Sequence, residues 1–303
     1  MPEARKRAVR RAFERAVATY AQSAFLQQEV ARRLDGHLEE IRLAPKCILD
    51  AGCGTGFGVP LLRQRYPQAR ILALDLAHGM VASTRRQYAA PAGWHKWLHW
   101  AGLQPSSLLP LCADLEQLPL TRHSVDMVWS NLVLQWVDPL RALAEIRRVL
   151  RPGGLFLFSS LGPDTLRELR AASTDLDGHA HVNRFTDMHD VGDALVRAGL
   201  ANPVMEMEHI TLTYADLRGV LADIRGIGAH TVLTQGRAGL MGKQVWARLS
   251  HNYEAFRRDG RLPATYEVVY GHAWAAHTDR LADGRQIIQL QRGKREGWAS
   301  GGR

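Results

Sequence analysis

Asp50 and the alternating glycines Gly52, Gly54 and Gly56 follow directly on the apolar run Cys47 to Leu49. Glycine is needed where the backbone turns with φ > 0 or where a ligand must lie against the main chain. A side chain at Gly52 or Gly54 would fill the space a nucleoside needs, and Asp50 offers an acceptor for a cationic amine or a hydroxyl. The pattern D-x-G-x-G-x-G is not the dinucleotide fingerprint, because Phe57 stands where its third glycine would be. No Lys-Ser or Lys-Thr follows, so it is not a Walker loop either.

Further strand-like runs also end in acids. Ile71 to Leu74 leads into Asp75, about one βα unit downstream, and Leu109 to Ala113 leads into Asp114. An acid at the tip of the second strand of a nucleotide-binding sheet can accept both ribose hydroxyls. Asp114 could accept from the exocyclic amine of adenine. A fourth run, Ser124 to Asn131, ends in polar residues and leads to Leu134-Gln135-Trp136. A fifth, Leu155 to Ser159, follows Leu150-Arg151-Pro152-Gly153-Gly154, which reads as a helix stop and tight turn. Taken singly, Asp75 or Asp114 reads equally as a helix N-cap, and the glycines as a tight βα connection. Together, the strand-terminal acids form a cup for a nucleoside with a charged amino-acid tail.

Helical segments must flank and cover this cup. Residues 3 to 42 read as helical, with Leu26, Val30, Leu34 and Leu38 on one face. They are expected as a helix pair across the cup. A helix is also expected from about Gly58 to Arg65. Residues 215 to 258 read as helices inserted between the late strands Ile210 to Tyr214 and Thr265 to Trp274, the usual build of a lid. The spacing predicts one domain over 1–282, comprising a helical cap (1–44), a cofactor-binding core (45–160) and a substrate side (161–282). Residues 283–303 are expected to form a mobile tail. The insertion 88–108 carries Trp94, Trp97 and Trp100, with His95 and His99 four apart. No third metal ligand accompanies those histidines, so an aromatic segment packed on the rim is expected and no metal site.

The chain has 303 residues, 46% of them hydrophobic, enough for a substantial core. No run approaches the ~18 apolar residues of a membrane span, and the Arg-rich start lacks the apolar centre of a secretory leader. Cys47, Cys53 and Cys112 form no metal or redox spacing, which suits a reducing cytoplasm. A formal charge of +9 favours an acidic partner. Nucleic acid is one candidate and an acidic carrier protein another; the basic residues form no recognisable nucleic-acid module, and most of the arginines read as a solvated surface and frayed tail.

The ordered set from about residue 45 to 160 resembles the class I S-adenosylmethionine-dependent methyltransferases. That resemblance implies an α/β fold with a doubly wound, mostly parallel seven-stranded sheet of Rossmann-like type, N-terminal helices and a helical lid. It implies that Asp50 and Gly52, Gly54 and Gly56 hold the methionine part, Asp75 the ribose, and Asp114 with Leu115 the adenine. Leu76 and Asn131 are the further cofactor contacts it implies. The flanks Phe13 to Tyr20, Leu26 to Val30, Gly162 to Arg170, Phe185 to Gly192 and Ile210 to Tyr214 are similar to the malonyl-[acyl-carrier protein] O-methyltransferases of biotin synthesis. They are shared in part with ubiquinone-pathway methyltransferases and with an assembly factor thought to hydroxylate an arginine.

On this resemblance the acceptor is a malonyl thioester on acyl-carrier protein, and the nucleophile is a carboxylate. It is ionised at neutral pH, with a reference value near ~4, so no general base is expected. Aromatic faces beside a sulfonium would help to hold it, and Tyr20 and Trp136 are the candidates, Trp136 reading equally as core. A malonyl carboxylate calls for an arginine fork, with Arg15, Arg167 and Arg170 as candidates. His189 reads as a helix-start residue. Replacing Asp75 is expected to weaken cofactor binding with little effect on folding.

Overall fold

The computed structural model describes residues 1–89, 107–176, 180–227 and 242–276. Helices α1 (Glu3–Ser23) and α2 (Phe25–Gly36) come first. An alternating series follows: β1 (Cys47–Ala51), α3 (Gly58–Arg65), β2 (Arg70–Asp75), α4 (His78–Tyr88), β3 (Leu108–Cys112) and β4 (Val125–Asn131). Next come α5 (Pro139–Val149), β5 (Leu150–Leu161), α6 (Arg167–Ala172) and α7 (Met188–Arg197). The last elements are β6 (Leu200–Tyr214), α8 (Leu217–Gly226), α9 (Lys243–Glu254) and β7 (Leu262–Ala275).

The seven strands lie in the order β3-β2-β1-β4-β5-β7-β6. The pairs among β1 to β5 are parallel, and β7 runs antiparallel to both neighbours, β5 and β6. Successive side chains of a strand point to opposite faces, and here they feed two cores. Ile48, Met127 and Leu155 pack with Val30, Leu34 and Leu62 of the helices α2 and α3. Leu49, Val128 and Phe156 pack with Leu143, Ile146 and Leu195 of α5 and α7. Helices therefore cover both faces, which is why these strands read as near-continuous apolar runs.

The predicted helical face of Leu26, Val30, Leu34 and Leu38 is buried throughout. The stretch 3–42 breaks at Ala24, and Leu38 sits on a 3-10 turn, His37–Glu39, beyond the end of α2. The predicted turn at Leu150–Gly154 is instead the start of β5. Pairing with β4 jumps from Val125↔Leu150 to Met127↔Leu155, and Gly153 takes φ +75°, so the sheet absorbs the turn signal as a bulge. Asp187 caps α7 by accepting the His189 N–H at 2.8 Å, which makes His189 a helix-start residue. Helices α8 and α9 lie between β6 and β7 as expected. The rest of the expected lid (228–241), the Trp-rich insertion with His95 and His99, and the expected tail 283–303 lie outside the described residues. No described helix is long and apolar enough to cross a membrane.

β1 and β4 are neighbours, yet the chain runs from β1 outward to β2 and β3 before returning to β4. Such a reversal opens a crevice at the carboxyl ends of the strands, where ligands of open α/β sheets bind.

Candidate functional site

The glycine turn leaves β1 at this crevice. Gly52, Gly54 and Gly56 take φ of +85°, +53° and +92°, a region that side-chain-bearing residues avoid. Gly52 has a second reason to be glycine: a Cβ there would lie 2.2 Å from Val133 Cγ2. The turn is tied to β2, because the N–H groups of Gly52 and Cys53 donate to the Leu74 carbonyl at 2.7 and 2.8 Å. The Gly54 N–H donates to Asp75 Oδ2 at 3.0 Å, and the Ala77 N–H to Asp75 Oδ1 at 2.9 Å.

The acids behave differently from one another. Asp50 is only 2% exposed, and its Oδ2 has no hydrogen-bond partner. Burial, with Asp75 adding like charge, pushes its carboxyl up to about 7. Asp75 is pushed up to about 6 by burial, against the pull of the Ala77 and Gly54 N–H groups. Asp114 is engaged: its Oδ1 accepts the Glu116 N–H at 2.8 Å and its Oδ2 accepts Lys6 Nζ at 2.5 Å. Lys6 also meets Glu116 at 2.7 Å, so α1 is clamped over the tip of the third strand.

A cavity of about 640 Å³ opens here, bordered by Gly52, Gly54, Asp75, Leu76, Asp114, Leu115 and Asn131. Seven predicted cofactor contacts thus share one wall. A smaller cavity of about 150 Å³ lies behind the turn, against Asp50, Phe57 and Trp129. Tyr20, Gln27 and Asn131 border both cavities, which together are taken as the cleft. Gly56 borders neither and packs towards Thr84 and Tyr88, where a Cβ would come within 2.9 and 2.8 Å. Asn131 is held at both ends, its Nδ2 donating to the Gln27 carbonyl at 2.9 Å and its Oδ1 accepting Ser159 Oγ at 2.8 Å.

Gln27 was not among the predicted contacts. Its Oε1 is buried without a partner, as Asp50 Oδ2 is. Its only sequence signal was membership of the Leu26–Val30 run, where helical periodicity marks the leucine and not the glutamine. Phe13 was also missed as a wall residue. It stands edge-on to Trp136 (centroids 5.5 Å, 89°) and 6.4 Å from Tyr20, so the three rings form an aromatic wall. Trp136 is half-buried and borders the main cavity, a position between the two readings made of it. Burial next to Asp75 raises the Tyr20 phenol, which stays protonated.

None of Arg15, Arg167 and Arg170 borders the cleft. Arg170 donates to the carbonyls of Pro163 at 2.6 Å and Thr165 at 3.2 Å, bracing the turn after β5. Arg167 is 55% exposed beside Asp164 and Glu168, and Arg15 is exposed on α1. An arginine after a strand can satisfy stray carbonyls as readily as a ligand, and sequence does not separate the two. Among the described residues, the arginine that borders the cleft is Arg225, on α8.

Two orphaned buried acceptors fit an ammonium donor, and Gly52 and Gly54 bring the main chain to the cavity border, which fits close approach of a ligand. With an acid at the tip of β2, the cleft suits S-adenosylmethionine. The fold and this cleft define a class I S-adenosylmethionine-dependent methyltransferase. Residues 49–158 match the family described as a methyltransferase domain. Among solved structures, the YcgJ protein of Bacillus subtilis superposes with a TM-score of 0.52 at 15% identity, covering 81% of this chain and 99% of that one, a likeness of fold. The malonyl-[acyl-carrier protein] O-methyltransferase of Gallionella capsiferriformans is 52% identical over 285 residues, 94% of this chain and 96% of the relative. That of Laribacter hongkongensis is 52% identical over 289 residues, 94% and 95%. The chain belongs to the malonyl-[acyl-carrier protein] O-methyltransferase family.

Proposed function

We propose that this enzyme transfers a methyl group from S-adenosylmethionine to the free carboxylate of a malonyl thioester on acyl-carrier protein, giving the methyl ester used in biotin synthesis. The observation that carries this reading is 52% identity over 94% of the chain, which extends past the cofactor core into the substrate side. S-adenosylmethionine supplies an electrophilic methyl carbon on a sulfonium. Asp50 and Gln27 offer the unpaired acceptors for its ammonium group, and the turn from Gly52 to Gly56 offers the surface for its methionine part. Asp75 retains lone pairs for the ribose hydroxyls while it holds the turn. Leu76 and Leu115 supply apolar contact to the adenine, and Asp114 borders its edge. Tyr20 and Trp136 present ring faces to positive charge, worth about 0.5–2 kcal/mol each.

A carboxylate acceptor arrives ionised, so no residue needs to take a proton. The residues have to align the acceptor and keep water out. Leu26, Leu132, Leu166 and Tyr266, all buried and all bordering the cavity, serve the second task. The formal charge of +9 would steer an acidic carrier protein to the enzyme. Turnover of the malonyl-carrier substrate should therefore fall as salt rises from about 0.05 to 0.5 M, because the Debye length shrinks several-fold. Malonyl-coenzyme A, which lacks the carrier surface, should be the poorer substrate at low salt. Equal turnover of the two at low salt would remove the carrier protein from this reading.

A further inference from the structure

Helix α8 sets Arg225, an exposed residue, at the rim of the main cavity. Among the described residues bordering that cavity, Arg225 is the sole lysine or arginine, and the carboxylates there are Asp75 and Asp114 at the cofactor end. Leu221, Ile224 and Ile227 surround it with apolar border. Other arginines among the described residues are paired with acids: Arg65 with Asp35 at 2.8 Å, Arg148 with Glu145 at 2.7 Å, Arg257 with Glu254 at 2.6 Å. Arg225 has no carboxylate partner among the described residues. Asp223, the nearest acid on its helix, accepts the Tyr214 hydroxyl at 2.6 Å.

The backbone next to Arg225 is tied to α1. Thr19 Oγ1 donates to the Gly226 carbonyl at 3.1 Å. A Cβ on Gly226 would come within 2.1 Å of Ser23 Oγ, so the glycine allows α8 to close on α1. α1 is the helix that carries Phe13 and Tyr20. Arg225 is therefore one residue from the contact that anchors α8 to α1, the helix of the aromatic wall.

An ionised carboxylate entering an apolar cavity is strongly disfavoured unless it is paired and hydrogen-bonded. Arginine presents a planar fork matched to carboxylate. We infer that Arg225 is the specificity-determining residue for the acceptor, pairing with the free carboxylate of the acyl group; this rests on the malonyl reading above. Methylation turns the carboxylate into an uncharged ester, so the pairing that selects the acceptor is lost in the product, which favours release.

The test compares wild type with Arg225→Gln and Arg225→Lys on malonyl-carrier protein and on malonyl-S-N-acetylcysteamine, which carries no phosphate. Affinity for S-adenosylhomocysteine, measured by calorimetry, reports an intact cofactor cleft. Arg225→Gln should lose about 10- to 100-fold in kcat/KM on both substrates, the scale of a hydrogen bond to a charged group. The loss should lie mainly in KM, and Arg225→Lys should recover part of it. Inhibition by butyryl-S-N-acetylcysteamine, which is uncharged, should be unchanged. Unaltered kcat/KM in an otherwise active enzyme would overturn the inference and leave the proposed function standing. So would a loss confined to the carrier substrate, which would assign Arg225 to the prosthetic-group phosphate. Equal weakening of the butyryl inhibitor would make Arg225 a packing residue. A wild type that methylates neither malonyl thioester would instead fail the proposed function, and this inference with it.

Discussion

Asp75 Oδ2 accepts the Gly54 N–H at 3.0 Å, so the tip of the second strand holds the glycine turn that follows the first. The other oxygen of the same carboxylate accepts the Ala77 N–H at 2.9 Å and fixes the chain entering α4. One side chain thus holds the turn and borders the cavity.

Asp75→Ala should weaken S-adenosylhomocysteine binding by roughly 1.5–3 kcal/mol. The sequence suggested that folding would be little affected, but removing both acceptors leaves two backbone donors unpaired, and a cost of about 1–3 kcal/mol each is the usual penalty. Asp75→Asn keeps one acceptor oxygen and should fall between. Calorimetry and thermal melting of the three proteins check this. An alanine variant with wild-type affinity would remove the ribose from Asp75.

Gly52→Ala should abolish detectable cofactor binding. Its φ of +85° strains any side-chain-bearing residue by about 1–3 kcal/mol, and its Cβ would lie 2.2 Å from Val133 Cγ2. Adding Val133→Ala removes the clash and leaves the strain, so the double variant should regain part of the affinity. A Gly52→Ala protein that binds normally would show that the turn adjusts freely.

These glycines and acids were legible in the sequence because each is the residue type its local backbone or chemistry demands. The strands were legible from their apolar runs, and the sheet order followed from the resemblance. The Lys6–Asp114 pair was not, since its partners are 108 residues apart and nothing local marks the lysine. The orphaned Oε1 of Gln27 arises only because the fold brings α2 to the cavity that the glycine turn also borders. Arg170 and Arg225 are indistinguishable as letters, and only the fold spends one on carbonyls and leaves the other at the cavity. The Pro-Gly-Gly sequence after Leu150 does signal a break, but pairing with β4 overrides it.

Cofactor affinity should rise with pH through about 6 and about 7, the values to which burial pushes Asp75 and Asp50. Donors on the ligand favour the ionised carboxylates, so binding releases protons and is favoured as they ionise; above that range affinity should level off. Stability of the free protein has the opposite sign. An unfolded carboxylate titrates near ~4, so the folded chain retains protons that the unfolded chain has lost. Stability should therefore fall between about 4 and about 7 and flatten above. Calorimetry in two buffers of different ionisation enthalpy measures the proton release. PH-independent affinity with no protons released would contradict the assignment of these acids to the cofactor.

The central claim is methyl transfer to the acyl carboxylate. The most direct measurement incubates purified protein with methyl-labelled S-adenosylmethionine and malonyl-acyl-carrier protein, then reads the carrier by intact mass. A mass gain of one methylene on the malonyl group, with the label in it and no gain on carrier bearing an uncharged acyl group, is the predicted result. A carrier that stays unmodified while the protein binds S-adenosylmethionine would contradict it.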